Sequence, residues 1–299
     1  MMDDATYAEP LLGWYAQNAR DLPWRRETGP GAAWSVRVSE IMLQQTPVAR
    51  VLPAHAQWLA RWPTPAALAA SPPGEAIRHW GRLGYPRRAL RLHEAACLIT
   101  ARHGGQVPDS VASLRELPGV GSYTAAAVAS FAFGQRHAVL DTNVRRVLAR
   151  LVGGAAGPVS TGVSVSEVKL AESLLPDAPD VAARWSVAVM ELGALVCTAA
   201  TAPSCGSCPL AGQCVWLTTG RPAGTVQGRR TQRYDGTDRQ CRGRLLAVLR
   251  DTSQPVARAD FDVVWSSPVQ LARALDGLVS DGLVDPLPDG RYALPGTAP

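Results

Sequence analysis

No run of eighteen or more apolar residues occurs in the 299-residue chain, so no bilayer-spanning helix is expected. The opening MMDDATYAEP is acidic and lacks an apolar core. That argues against a secretory leader and makes the cytoplasm the expected location. Charged residues make up only 18% and hydrophobic ones 46%, which excludes a disordered chain. Strand signals are scarce, and no internal repeat is visible. The length allows one large domain or two to three smaller ones. The net charge of +5 is mild. It fits a polyanionic partner without requiring one.

What is present is mostly helical pattern broken by Pro and Gly. Helices are expected over 4–20, 34–45, from Thr46-Pro47 to Arg61, and over 65–70, 73–82 and 86–103. A short helix capped by Asp109-Ser110 ends at Leu117. Pro118-Gly119-Val120-Gly121 follows, with Ser122 read as the cap of the next helix. Val144, Val147, Leu148 and Leu151 sit at i, i+3, i+4, i+7 after Asp141. Helices resume near 166–175 and 180–197. Residues 218–240 are Gly-, Thr- and Arg-rich and read as a linker. Residues 241–299 read as three helices and a hairpin turning at Asp289-Gly290, the order of a winged helix.

Four stretches carry chemistry. In LPGVGSYTAAAVASFAFG, helices joined through Gly119, Val120 and Gly121 expose backbone N–H groups at a helix N-terminus, a seat for a DNA phosphate. An ordinary helix–helix turn is the plainer reading. Asp141 in VLDTNVRRVLARL is a standard N-cap position, or a carboxylate turned to a DNA groove. Arg145 and Arg146 add phosphate contacts or are solvated. Glu40, flanked by Val38, Ile41, Met42 and Leu43, lies on a solvated face or at a core edge, where burial would suit it to general-acid work. Cys197-x7-Cys205-x2-Cys208-x5-Cys214 suggests metal: a [4Fe–4S] cluster or tetrahedral zinc, with the single C-x2-C favouring iron–sulfur. Cys97 and Cys241 read as unrelated thiols. Glu191 interrupts the apolar run from Val187 to Leu192, where a buried charge needs a purpose; an exposed helix face is the alternative.

The order SEIMLQQT, LGYPRRALRLHEAA, LPGVGSYTAAAVASFAFG, LDTNVRRVLAR, MELGALVC and the cysteine cluster resembles the MutY-type adenine DNA glycosylases of the helix-hairpin-helix superfamily. The likeness runs from about residue 5 to 217. It implies an all-α fold with DNA and a flipped base between two helical subdomains: an iron–sulfur subdomain (1–29 and 139–217) and a six-helix barrel with the hairpin (30–138). A linker (218–240) and a winged-helix-like tail (241–299) would follow. The implied partner is double-stranded DNA with adenine opposite 8-oxoguanine or guanine, bound by a monomer.

Residue by residue, the resemblance implies that Glu40 protonates adenine, Asp141 stabilises or traps the sugar cation, and Tyr123 and Asn143 support them. Arg20, Trp24, Arg25 and Glu191 would line the adenine pocket. Gln44, Gln45 and Tyr85 would wedge into the base stack. Tyr123 stands where lyase relatives place a catalytic lysine, so a monofunctional hydrolase is expected. Cys197, Cys205, Cys208 and Cys214 would hold the cluster. This sequence departs from the family in its seven-residue first cysteine gap, where six is typical, and in Pro86, where many members carry a second tyrosine. Its tail is also too short and too helical for the Nudix-like domain that reads 8-oxoguanine, so Arg239, Arg242 and Arg244 there would add DNA affinity or serve protein docking. The rival readings are a glycosylase for another mispaired base, such as thymine in T·G, and a non-catalytic iron–sulfur DNA-binding protein.

Overall fold

The computed structural model describes residues 5–26, 31–200, 202–224 and 234–298. The helices are α1 (Ala5–Asn18), α2 (Pro23–Arg26), α3 (Ala32–Leu43), α4 (Val48–Arg61), α5 (Pro65–Ala69), α6 (Pro73–Trp80), α7 (Arg87–Arg102), α8 (Val111–Arg115), α9 (Ser122–Phe133), α10 (Thr142–Leu151), α11 (Val165–Ser173), α12 (Pro179–Leu195), α13 (Val215–Thr218), α14 (Asp238–Arg250), α15 (Arg258–Asp262) and α16 (Pro268–Ser280). The sheet among the described residues is one antiparallel pair, β1 (Asp285–Pro286) with β2 (Tyr292–Ala293), with Asp285 opposite Ala293. The described residues are thus mostly helical, with one small hairpin, as the sequence pattern implies. It divides into two compact units: residues 1–27, 109–115 and 120–229, and residues 28–108, 116–119 and 230–299.

In the first unit the apolar stripe of α10 is fully used. Val144, Val147, Leu148 and Leu151 are all buried, in one cluster with Leu11 of α1 and Trp185 of α12. Burying each such side chain is worth roughly 1.5–3 kcal/mol. Helices α10 and α12 meet nearly backbone to backbone. A Cβ on Gly193 would stand 2.8 Å from Asn143 Cβ and 3.0 Å from its carbonyl oxygen. Helix α11 opens on a capping box between Ser164 and Glu167. Glu167 also accepts from the buried Arg145, whose other donors go to the carbonyls of Ser160, Thr161 and Gly162. Arg145 is therefore neither solvated nor available to a phosphate.

In the second unit α3 is buried along almost its whole length, from Ala32 to Met42. Trp34, Trp58, Trp62 and Trp80 form the bulk of the surrounding core; the Trp58 and Trp62 rings meet edge-on at 4.6 Å. The C-terminal helices and hairpin enclose their own core around Leu245, Leu249, Phe261 and Leu278, and Ile77 of α6 belongs to it. The tail is bolted to α6 at three further points. Arg78 donates to the carbonyls of Leu249, Arg250 and Thr252. Arg250 Nε donates to Ile77 O at 3.0 Å, and Gly74 N donates to Pro295 O at 2.7 Å. A Cβ on Gly74 would come within 2.7 Å of that same carbonyl oxygen, so glycine is needed there for close approach.

Several helix starts differ from the sequence expectation. Thr46, read with Pro47 as the start of α4, does not cap it: Pro47 occupies the N-cap, and the Thr46 hydroxyl accepts from Arg88 instead. Gly121, not Ser122, is the N-cap of α9. Helix α14 begins at Asp238, capped by Thr237, ahead of the expected boundary of the tail at 241. The expected linker 218–240 is thus shortened at its far end, and its residues 225–233 lie outside the described residues.

Candidate active site and cysteine cluster

The first unit holds a fully buried carboxylate. Glu191, in the C-terminal third of α12, has no exposed surface. Its Oε1 accepts from Arg20 N and Arg20 Nε, both at 2.8 Å. Its Oε2 accepts from Arg20 Nη2 at 2.7 Å and Arg25 Nη2 at 2.9 Å. Burial alone would raise the pKa. The Arg20 and Arg25 bonds outweigh it and hold the group at about 2. Arg25 also stands 6.0 Å over the Tyr15 ring. Burial raises the Tyr15 hydroxyl, with Arg25 opposing. Trp24 is buried beside Arg25 in α2. The loop after α1 and the short helix α2 thus bring Arg20 and Arg25 to α12, and Tyr15 is a neighbour absent from the sequence candidates.

Asp141 is the N-cap of α10. Its Oδ1 accepts from Val144 N at 2.7 Å and its Oδ2 from Asn143 Nδ2 at 2.8 Å. Burial nevertheless raises its pKa, against the lowering by those bonds and by Arg146. Asn143 Oδ1 in turn accepts from Arg146 Nη2 at 2.8 Å. Arg146 also donates to the carbonyls of Gly193 (2.6 Å) and Cys197 (2.8 Å). Asp141 is therefore a cap and the head of a relay that ends at the backbone of the first cysteine of the cluster. The sequence expectation of a phosphate-binding or solvated Arg146 is corrected: its donors face inward.

Cys197, Cys205, Cys208 and Cys214 line one pocket with Arg150, Trp216 and Leu217. Arg150 Nη1 donates to Cys197 Sγ at 3.3 Å, and its Cζ stands 4.6 Å over the Trp216 ring. Burial pushes the Cys208 thiol up to about 11, and the other three sulfurs push the same way. Among the described residues no group of three or more His, Cys, Asp or Glu side chains forms a site for a metal ion. Cys241 is buried in the tail core, and Cys97 lies beside His93.

In the second unit Glu40 is buried in α3. One turn before it, burial pulls the Arg37 guanidinium down to about 10, offset in part by Glu40. Arg37 Nη2 donates to Pro118 O at 3.2 Å and so ties the helix of Glu40 to the Pro-Gly-Val-Gly turn. Gly119 there has φ +75°, and a Cβ would meet Arg91 Cβ at 2.9 Å, which only glycine avoids. Gly121 leaves the start of α9 without a side-chain cap. Val120 is partly exposed, and Tyr123 is the second residue of α9.

Gln44 ends α3. Gln45 (φ +56°) and Tyr85 (φ +47°) both adopt left-handed backbone, which costs a non-glycine residue of order 1 kcal/mol or more. One side chain braces both segments. Arg88 Nη1 donates to the carbonyls of Ile41, Met42 and Gln44, and its Nη2 to Thr46 Oγ1 and the carbonyls of Leu83 and Gly84. Burial pulls Arg88 down to about 10, with Tyr85 opposing. Arg88 and Arg37 have no counterpart among the sequence candidates. The available signal is an arginine at a core-facing helical position: Arg88 in α7, one turn before Leu92, and Arg37 in α3 between Val36 and Val38.

A family model described as HhH-GPD superfamily base excision DNA repair protein matches residues 38–160. A solved thermostable thymine-DNA glycosylase superposes with a TM-score of 0.62 at 25% identity, covering 72% of this chain and 97% of that one. The fold is that of a helix-hairpin-helix base-excision DNA glycosylase. An adenine DNA glycosylase of Mycolicibacterium smegmatis is 56% identical over 290 residues, 96% of this chain and 95% of that protein. One from Mycobacterium tuberculosis is 52% identical over 288 residues, 96% of this chain and 92% of that protein. The chain belongs to the MutY-type adenine DNA glycosylases, and it removes adenine from DNA in base excision repair. No helix among the described residues is long and apolar enough to cross a membrane.

Proposed function

We propose that the enzyme excises adenine opposite 8-oxoguanine or guanine in duplex DNA by monofunctional hydrolysis, as a monomer acting on the nucleoid. The observation that carries the hydrolytic reading is the chemistry the chain lacks. Lys169 is its only lysine, exposed on α11, and the hairpin position that would supply a Schiff-base amine is Tyr123. Glu40 donates a proton to the adenine ring, so the base departs neutral, and afterwards takes a proton from the attacking water. Asp141, with one oxygen held by Val144 N and the other by Asn143, stabilises positive charge on the sugar. Tyr123 and Asn143 orient these carboxylates. Arg20, Trp24, Arg25 and Glu191 shape the adenine pocket, and Gln44, Gln45 and Tyr85 fill the gap left by the flipped base. Gly119, Val120 and Gly121 present backbone N–H groups to a phosphate.

Four thiols on one pocket support a [4Fe–4S] cluster held by Cys197, Cys205, Cys208 and Cys214. Bound there, it would supply cross-linking of the 197–214 segment, since metal-binding energy is folding energy at such sites. The Asn143–Arg146 relay then holds Asp141 to that segment.

The test is single-turnover excision from duplexes carrying A opposite 8-oxoguanine, A opposite G, A opposite T and T opposite G. Fast loss of A from the first two, with little from the third and none of T from the fourth, is the expected result. Excision of T from T·G at the rate of A would overturn the specificity assigned here.

A further inference from the structure

The tail is fixed to the same unit as Tyr85, and it brings a cation to that residue. Arg239, in the first turn of α14, stands with its Cζ 5.6 Å from the Tyr85 ring centroid and 5.7 Å from that of Tyr234. Both rings are half exposed, at 50% each, and Arg239 is exposed as well. From the barrel side Arg88 stands 5.4 Å from the Tyr85 ring. The neighbouring carboxylate does not neutralise Arg239. Asp238 is committed to Arg273 through two bonds of 2.7 and 2.8 Å, and to Gln270. The other two arginines named on this helix are engaged inside the tail, Arg242 on Asp281 and Arg244 over Trp265. Arg239 thus keeps its charge for a partner outside the chain.

We infer that Tyr85, Arg239 and Tyr234 form one stacking ladder that binds the DNA strand entered by Tyr85, with Arg239 on a backbone phosphate and Tyr234 against an adjacent unstacked sugar or base. Alternating aromatic rings and a guanidinium on an exposed ridge suit a distorted nucleic-acid strand, because each base has a π-face and each linkage a negative charge. Exposed tyrosine and arginine also suit a protein surface; what selects DNA here is that Tyr85, the proposed wedge, is one of the three. The docking of the tail on α6 through Arg78, Arg250 and Gly74 explains how the ladder is held in place. The inference rests on the reading of Tyr85 as a wedge.

The experiment is a binding titration of the full-length protein on a short duplex carrying 2′-fluoro-2′-deoxyadenosine opposite 8-oxoguanine, which resists hydrolysis, at several salt concentrations. Wild type is compared with Tyr85→Ala, Arg239→Ala, Arg239→Lys and, as a charge-matched control on the same tail, Arg258→Ala. Arg239→Ala is expected to weaken binding about ten-fold and to lower the slope of log K against log salt by about 0.9, one phosphate contact. Arg239→Lys should keep the slope while losing part of the affinity, since charge survives and planar stacking does not. Arg258→Ala should change neither. If Tyr85→Ala weakens binding but Arg239→Ala leaves both affinity and slope unchanged, the ladder is overturned and the wedge stands. If Tyr85→Ala also has no effect, the wedge reading falls and the ladder with it. A lower melting temperature for Arg239→Ala with an unchanged slope would likewise overturn the inference, by making the stack a brace of the tail only.

Discussion

Replacing Glu191 by Gln gives the most quantitative test of the buried pocket. The carboxylate is wholly buried and accepts four N–H bonds from Arg20 and Arg25. Its pKa is held at about 2 against an ordinary 4.5. Each tenfold change in an acid's ionisation constant corresponds to about 1.4 kcal/mol, so ionised Glu191 contributes on the order of 3 kcal/mol. Removing one member of a buried ion pair typically costs about 3–5 kcal/mol, which agrees. A carboxylate with a depressed pKa stabilises the fold above its unfolded value and loses that contribution as pH falls. Wild type should therefore lose stability between about pH 4.5 and pH 2 more steeply than Glu191→Gln, and be more stable than it at pH 7 by about 3 kcal/mol. Urea denaturation followed across that pH range reads both quantities. A variant as stable as wild type at pH 7, with the same acid profile, would refute the argument that Glu191 is an essential counter-ion of the two arginines.

Three further outcomes follow from the packing. Arg88→Lys offers one ammonium to six acceptors on two segments, and orphaned buried acceptors cost about 1–3 kcal/mol each. The melting temperature should fall, and excision should fall further than stability explains, because Gln45 and Tyr85 lose their brace. Gly74→Ala places a methyl group within 2.7 Å of Pro295 O; about 1–3 kcal/mol of overpacking is expected, read as faster proteolysis of the tail at unchanged helix content. Cys208→Ser should abolish the visible absorbance of the iron–sulfur cluster and the iron content together; retention of both would sink the four-thiolate assignment.

The helical architecture was legible because it depends on local pattern. The stripe from Val144 to Leu151 and the order of three helices and a hairpin in the tail follow from periodicity. The family was legible because separated motifs stand in one order. Long-range partners left no such trace. Thr46 looked like a cap, yet its hydroxyl belongs to Arg88, far along the chain. Arg145 and Arg146 looked solvated or DNA-facing, yet both turn inward onto carbonyls. An arginine signals charge in a sequence, and only the fold shows which acceptors surround it. The tail read as a separate module because 218–240 has no periodicity, whereas Arg78, Arg250 and Gly74 join it to α6. Glu191 and Glu40 were the exceptions among the charged groups: the apolar neighbours of each in its helix are themselves the mark of burial.

The central claim is that Glu40 and Asp141 do the chemistry and that no lysine does. Single-turnover excision of adenine opposite 8-oxoguanine, by wild type, Glu40→Gln and Asp141→Asn, tests it most directly, with strands resolved before and after alkali. Asparagine is a good N-cap, so Asp141→Asn should melt close to wild type. The account predicts strand scission only after alkali, no borohydride-trapped complex, and excision slowed by about 100-fold or more in each variant. Wild-type rates from either variant, or a borohydride-trapped complex, would contradict it.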